Sequence, residues 1–423
     1  MWEKIRRIWT IPDIRNRVLF VFAMLVVFRL AAHIPVPGIN TEGLKQFLAG
    51  NQVFGLLNIF SGGTIKNFSI VMLGVAPYIT ASIIFQLLTL VVPRFEEMSK
   101  EGESGQQKIN MYTRIAAVPL AFLQAFGTIK LLSQTQYNII GDLTTFKYIS
   151  IMITITAGSI FLMWIGELIS EKNLGNGTSL IIFSGIISSL PSSIQTAIVN
   201  YDASQLYVYI LFVAVALLTI LGVVYVSEGQ RNIPVSYARQ NQGTRSFGGM
   251  TNYLPLRLNM AGVVPIIFAI SMVLFPPMIA QFFVARGGFI GHAATTIITL
   301  FNNQLIYGIV YFVLVFGFTY FYTSVIFNPQ KMAENLQRQG AFILGIRPGK
   351  QTEEYLQKTM TKLLFSGALF LGIIAILPVI ARAVTGSQTL IIGGTGLLIV
   401  VSVAIETTKQ AASQLKMHEY DHV

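Results

Sequence analysis

The chain has no cysteine among its 423 residues, which excludes disulfides and thiolate metal sites. It is poor in charge, with 11% Asp, Glu, Lys and Arg against 53% hydrophobic residues. At a mean hydropathy of +0.64, a soluble protein of this length would not stay in solution, and no linker is long enough to hold a separate soluble domain. The acidic residues are absent from the places where a coupled transporter or pump would need them. Glu167, Glu228 and Glu406 fall at the ends of apolar stretches, and Asp142 and Asp202 fall in connections. Ion-coupled transporters generally keep an ionisable group at mid-membrane, and cation channels a carboxylate ring or carbonyl filter. The four histidines, His33, His292, His418 and His422, form no H-E-x-x-H pair, so zinc-hydrolase chemistry has no candidate. The Gly393-Gly394-Thr395-Gly396 run lacks the lysine of a phosphate loop and reads as helix entry with close packing. No cofactor or metal is expected.

What the chain does have is ten long apolar stretches, at 18–34, 70–92, 112–132, 148–169, 179–199, 206–226, 258–283, 305–327, 363–380 and 390–405. A bilayer core takes about 20 apolar residues of helix. One membrane domain over 1–423 is therefore expected. The 29 Lys and Arg fall mostly on alternate connections: Arg15 and Arg17 before the first stretch, Arg94 to Arg114, Arg231 to Arg257, Lys331 to Lys362, and Lys409 and Lys416. Because cations near span ends remain cytoplasmic, this bias puts both termini in the cytoplasm. The first stretch is read as retained, since His33 and Pro35 spoil a signal-peptide cleavage site. The net charge of +11 follows mostly from this bias and suits anionic lipid.

Two cytoplasmic connections, 227–257 and 328–362, exceed mere turns. Both carry Gly and Pro signals and enough apolar residues to order them as hairpins or short helices, which makes them a candidate docking platform, with lipid contact as the alternative. A further irregularity is the apolar piece 53–60, too short to cross a bilayer, followed by Ser61-Gly62-Gly63-Thr64. Two readings fit it: a helix dipping into a protein-lined funnel, or a helix lying on the outer surface, with Lys66 reaching water in either case.

Several motifs in order then give the chain a specific resemblance. They are Arg-Leu-Ala-Ala-His-Ile-Pro-Val-Pro-Gly at 29–38, Asn-Ile-Phe-Ser-Gly-Gly at 58–63, the stretch 74–88, Lys-Glu-Gly-Glu-Ser-Gly at 100–105, 175–178, Leu-Pro-Leu-Arg-Leu-Asn-Met-Ala-Gly-Val-Val-Pro at 254–265, and Gly-Ile-Arg-Pro-Gly at 345–349. Over essentially its whole length the chain resembles bacterial SecY, the channel subunit of the Sec protein translocon. That resemblance implies an all-α polytopic membrane protein of the cytoplasmic membrane, with ten transmembrane helices in two inverted five-helix halves, 1–205 and 206–423, around an hourglass pore. No internal repeat is visible by eye, so the two-halves arrangement rests on the resemblance alone. It implies a pore ring of Ile79, Ile83, Ile182, Ile186, Ile267 and Ile399; a plug of Phe60, Ser61, Gly62, Gly63, Thr64, Ile65, Lys66, Asn67 and Phe68, which favours the funnel reading; and a lateral gate with Ser82, Gln124 and Ser271 as polar contacts. Docking falls to Arg239, Arg245 and Arg347, although Thr244 stands where family members often carry another Arg. The implied partners are SecE and SecG, the ATPase SecA, the ribosome, and the signal sequences and nascent chains that pass through. A non-enzymatic channel for unfolded polypeptides, releasing apolar segments sideways into lipid, is the expected function. A secondary transporter with inverted repeats is the alternative, and a non-conducting scaffold a third.

Overall fold

The computed structural model describes residues 9–37, 39, 40, 42–44, 46, 61, 63–133, 139, 144–199, 206–237, 241–242, 245–246, 251–284, 288–385 and 394–421. It is mostly helical. The helices are α1 (Pro12–Ala32), α2 (Ala76–Val91), α3 (Pro93–Lys100), α4 (Glu103–Ser133), α5 (Thr145–Ser170), α6 (Gly177–Val199), α7 (Leu206–Glu228), α8 (Val264–Phe283), α9 (Phe289–Asn302), α10 (Gln304–Ile326), α11 (Pro329–Arg338), α12 (Lys350–Thr385) and α13 (Gly394–Asp421).

Their ends follow local chemistry. Proline opens α1, α2, α3, α8 and α11 within the first two helical positions, where its missing N–H costs nothing. Asn328 caps α11 by accepting from the Lys331 amide at 3.0 Å, and Asn303 caps α10 through the Leu305 amide at 3.0 Å. Pro93 also forbids helical geometry at Val92, whose ψ is 114°. Helices α2 and α3 therefore meet at 98°, and Phe85, Phe95 and Tyr112 pack around that corner with centroids 5.6 to 6.3 Å apart.

Among the described residues, four helical stretches are long and apolar enough to cross a membrane, Thr145–Ser170, Tyr209–Glu228, Gln304–Arg338 and Lys350–Leu377, or five if the bent pair α2 and α3 is one span. Three expectations shift. Residues 70–75 are turns, so α2 starts at Ala76, and 258–263 precede α8 without being helical. Helix α9, taken from the sequence as an outer connection, is apolar and packs on α8, with Phe289 89% exposed.

The packing has a repeating logic. Helix α2 packs on α4, α4 on α5, α5 on α6, and α1 on both α5 and α6; likewise α8 packs on α10, α10 on α12, α12 on α13, and α7 on both α12 and α13. The two sets meet where α8 touches α2 and α4, and where α13 touches α6 and α1.

An all-α chain is not what forms at the 227–257 loop. Strand β1 (Gln230–Tyr237) pairs antiparallel with β4 (Thr251–Arg257), and the short pair β2 (Asn241–Gln242) and β3 (Arg245–Ser246) lies between them. From the other long loop, β5 (Ala341–Ile343) adds to β1 with Val235 opposite Ile343. Alternation buries Ile233 and Val235 beside Leu256, Ile343 and Leu356. Pro234 is tolerated because it precedes the stretch of β1 that β5 covers. Two loops that read as separate hairpins are thus one platform.

Candidate functional site

All six isoleucines singled out in the sequence fall in one buried apolar cluster. Ile79 and Ile83 come from α2, Ile182 and Ile186 from α6, Ile267 from α8 and Ile399 from α13. Each pair is four residues apart, one helical turn, so both members share a face. Their exposures run from 0 to 9%, so the cluster is closed. The β-branch restricts each side chain to few rotamers, and an apolar constriction of this kind opposes wetting.

One turn away the chemistry changes. Ser179, Val264 and Ser402 stand three residues from Ile182, Ile267 and Ile399, and all three line a cavity of about 390 Å³ on the side where α6 and α8 begin and α13 ends. Asn259 and Glu406 face the same space. The Lys409 ammonium on its rim is 2.9 Å from Glu228 and donates to the Ser227 carbonyl at 3.3 Å. Asn259 Nδ2 donates to the Gly262 carbonyl at 3.2 Å.

On the opposite side lies a second cluster, containing Ile65, Phe68 and Met72 together with Ala125 and Ile129 of α4 and Ile151 and Ile155 of α5. Ile70 touches both clusters. Of the expected plug, Phe60 and Gly62 lie outside the described residues, as does the apolar piece 53–60. What is described is firmly tied: Thr64 Oγ1 donates to the Ser61 and Met72 carbonyls at 2.9 and 3.1 Å, and the Val36 amide donates to the Phe68 carbonyl at 2.9 Å. Gly158 on α5 is needed here, since a Cβ on it would sit 2.0 Å from the Ile70 carbonyl oxygen. Thr64, Ile65 and Phe68 are buried while Lys66 is exposed.

The three expected gate residues are not brought into mutual contact. Ser82 accepts from Gln86 Nε2 at 3.2 Å, Ser271 donates to the Ile267 carbonyl at 3.0 Å, and Gln124 is 8% exposed. Among the described residues, no hydrogen bond joins these three to one another. The seam of α8 against α2 and α4 is closed by packing. Between α4 and α5, Arg114 forms an ion pair with Glu167, which sequence reading noted only as two charges near span ends.

Arg347 is exposed in the turn after β5. Gly345 and Gly349 flank it at φ +80° and +97°, values that glycine adopts without a Cβ penalty, and Thr352 Oγ1 ties down the Arg347 carbonyl at 3.0 Å. Arg245 belongs to β3, and Arg239 lies outside the described residues. Among the described residues, no three His, Asp or Glu gather into a metal site.

The SecY family model matches residues 69–408. Protein translocase subunit SecY of Halalkalibacterium halodurans is 44% identical over 429 residues, covering 99% of each chain. A solved structure described as that of a protein conducting channel superposes with a TM-score of 0.65 at 19% identity, covering 93% of this chain and 91% of that one. Sec61 in the canine ribosome-channel complex from the endoplasmic reticulum gives a TM-score of 0.62 at 18% identity over the same shares.

Proposed function

The chain belongs to the SecY family, and from this we infer that it is the channel subunit of a protein translocase, a membrane protein that conducts unfolded polypeptide. A chain with unpaired backbone amides cannot cross hydrocarbon and needs a path lined by protein. We propose that the path runs through the six isoleucines. The observation that carries this is their convergence: four helices, two from each packing set, deliver isoleucines to one closed cluster directly beneath a polar cavity. Such a waist stays dry when empty and parts around a passing chain without recognising its sequence.

The repeated neighbour pattern of α1, α2, α4, α5 and α6 in α7, α8, α10, α12 and α13 supports ten spans in two inverted halves, divided near 205. The seam of α8 on α2 and α4 supports a lateral gate. Parting these helices would expose the passing chain to lipid, and Ser82, Gln124 and Ser271 stand ready to meet it. For the plug, the buried ties of Thr64, Ile65 and Phe68 favour a role as its anchored base against α4 and α5.

The sequence holds no nucleotide site, so the driving force comes from partners: SecA or the translating ribosome at the sheet platform through Arg347, Arg245 and Arg239, with SecE and SecG beside it in the membrane. A guanidinium serves phosphate and carboxylate alike. The cation distribution supports a bacterial cytoplasmic membrane location with both termini inside and contact with anionic lipid. The test is to stall a secretory chain in transit with photo-crosslinkers at positions 83 and 267. Adducts at both positions are expected; their absence, with adducts only at lipid-facing Leu218, would remove this function.

A further inference from the structure

The cavity above the waist brings acceptors and donors together without pairing all of them. Glu406 is seven residues from Ile399 and four from Ser402, so all three share one face of α13. A chain approaching the waist passes Glu406 first. Among the described residues, no cation lies within ion-pair distance of its carboxylate. Its partner is Gln410, whose Nε2 donates to Oε1 at 3.5 Å. Lys409 is occupied by Glu228 and the Ser227 carbonyl. Arg257 lines the same cavity with an exposed side chain, and its charge reaches Glu406 without forming an ion pair.

Asn259 adds a second acceptor. Its Nδ2 is committed to the Gly262 carbonyl, while its Oδ1 is buried and finds no donor among the described residues. Gly262 links the two groups, since a Cβ built on it would be 3.8 Å from Glu406 Oε2. A buried acceptor without a donor is costly, and a carboxylate in a half-enclosed site wants a charged donor. Arg257 faces the carboxylate from beyond ion-pair distance, so the Glu406 charge, an amide oxygen and a space of about 390 Å³ leave room for a second ammonium or guanidinium to come closer.

We propose that Glu406 and Asn259 form a transient acceptor site for Lys and Arg side chains of the entering polypeptide, holding basic residues on the cytoplasmic side of the isoleucine waist. This rests on the channel reading above. Neutral segments pass the site without engaging it. Basic segments pause there until the charge is surrendered to water, so the channel itself discriminates by charge before the waist is reached.

The experiment uses the complete translocase in sealed vesicles and one secretory polypeptide in two forms, carrying a block of lysines or of glutamines at the same place. The lysine form should cross about three- to fivefold more slowly, the scale of a half-buried charge pair. In Glu406→Gln the ratio between the two forms should fall to about one, and in Glu406→Asp it should be partly kept. A ratio unchanged in Glu406→Gln would overturn the site, as would equal crossing times in the unaltered protein. A second measurement does not depend on a variant: a zero-length carbodiimide should join Glu406 to a lysine of the stalled chain, and no stall position giving that adduct counts against the site. If neither form crosses at all, the channel reading itself fails, which is a separate result.

Discussion

The waist and the mouth are built by the same helices one turn apart, yet they obey opposite rules. At the waist, Ile182 and Ile399 are 1% and 0% exposed and meet only hydrocarbon. At the mouth, Ser179 and Ser402, 5% and 7% exposed, line a cavity together with Glu406. On the proposed path the seal would therefore occupy a single thin layer, and a chain in transit would meet a dry surface for about one turn of helix. The sharpest way to break this contrast is to move polarity across it. Ile399→Asp would bury a carboxylate with no partner, a cost of several kcal/mol, and should sharply reduce the amount of folded protein or leave vesicles leaky to ions. Ser402→Asp, three residues away, should do neither. Comparable ion leak from the two variants would mean that the dry layer is not where the isoleucines put it.

The platform contrasts with the waist in another respect, since its proposed docking role depends on exposure. Arg347→Glu should abolish SecA-driven secretion while leaving membrane abundance and ion tightness as they were. Normal secretion in this variant would remove Arg347 from docking. At the waist, truncation without charge is milder: Ile182→Ala removes buried methyls at about 2–5 kcal/mol for a fully packed site, although in a pore part of that cost appears as leak instead. Ser179→Ala on the mouth should change melting in detergent by less than about 1 kcal/mol. Equal melting shifts would show that the mouth is as tightly packed as the waist.

Some of this was legible in the residues alone and some was not. Apolar length, the alternating cations and the spacing of Ile79/Ile83 and Ile182/Ile186 are local patterns; of these, the structure shows the two isoleucine pairs buried in one cluster and, among the described residues, four or five helices of spanning length. Which of many isoleucines turn inward is a tertiary matter, and only the resemblance selected them. The sheet escaped because β1 pairs with β5 across more than a hundred residues, and three-residue strands leave no period to read. The gate trio forms no mutual hydrogen bond among the described residues, because serine hydroxyls in apolar helices readily bond back to their own backbone, as Ser271 does. Gly158 could not be singled out, because its need arises from Ile70, a residue far away in the chain. The repeat between helix sets was invisible because it is kept in neighbour relations and not in residue identity.

The smallest effect sharpens the contrast from the mouth's rim. Lys409 and Glu228 join α13 to α7 with side chains 32% and 53% exposed, whereas Arg114 and Glu167 join α4 to α5 with the carboxylate only 20% exposed. Water screens the first pair more, so Lys409→Met should cost under about 1 kcal/mol in thermal melting, and high salt should erase most of even that. Removing Arg114 leaves the more shielded Glu167 charge without its cation, so Arg114→Met should cost more and respond less to salt. If both variants melt alike and respond alike to salt, the rim is as closed as the helix seam. The mouth would then lack the hydration that separates it from the waist.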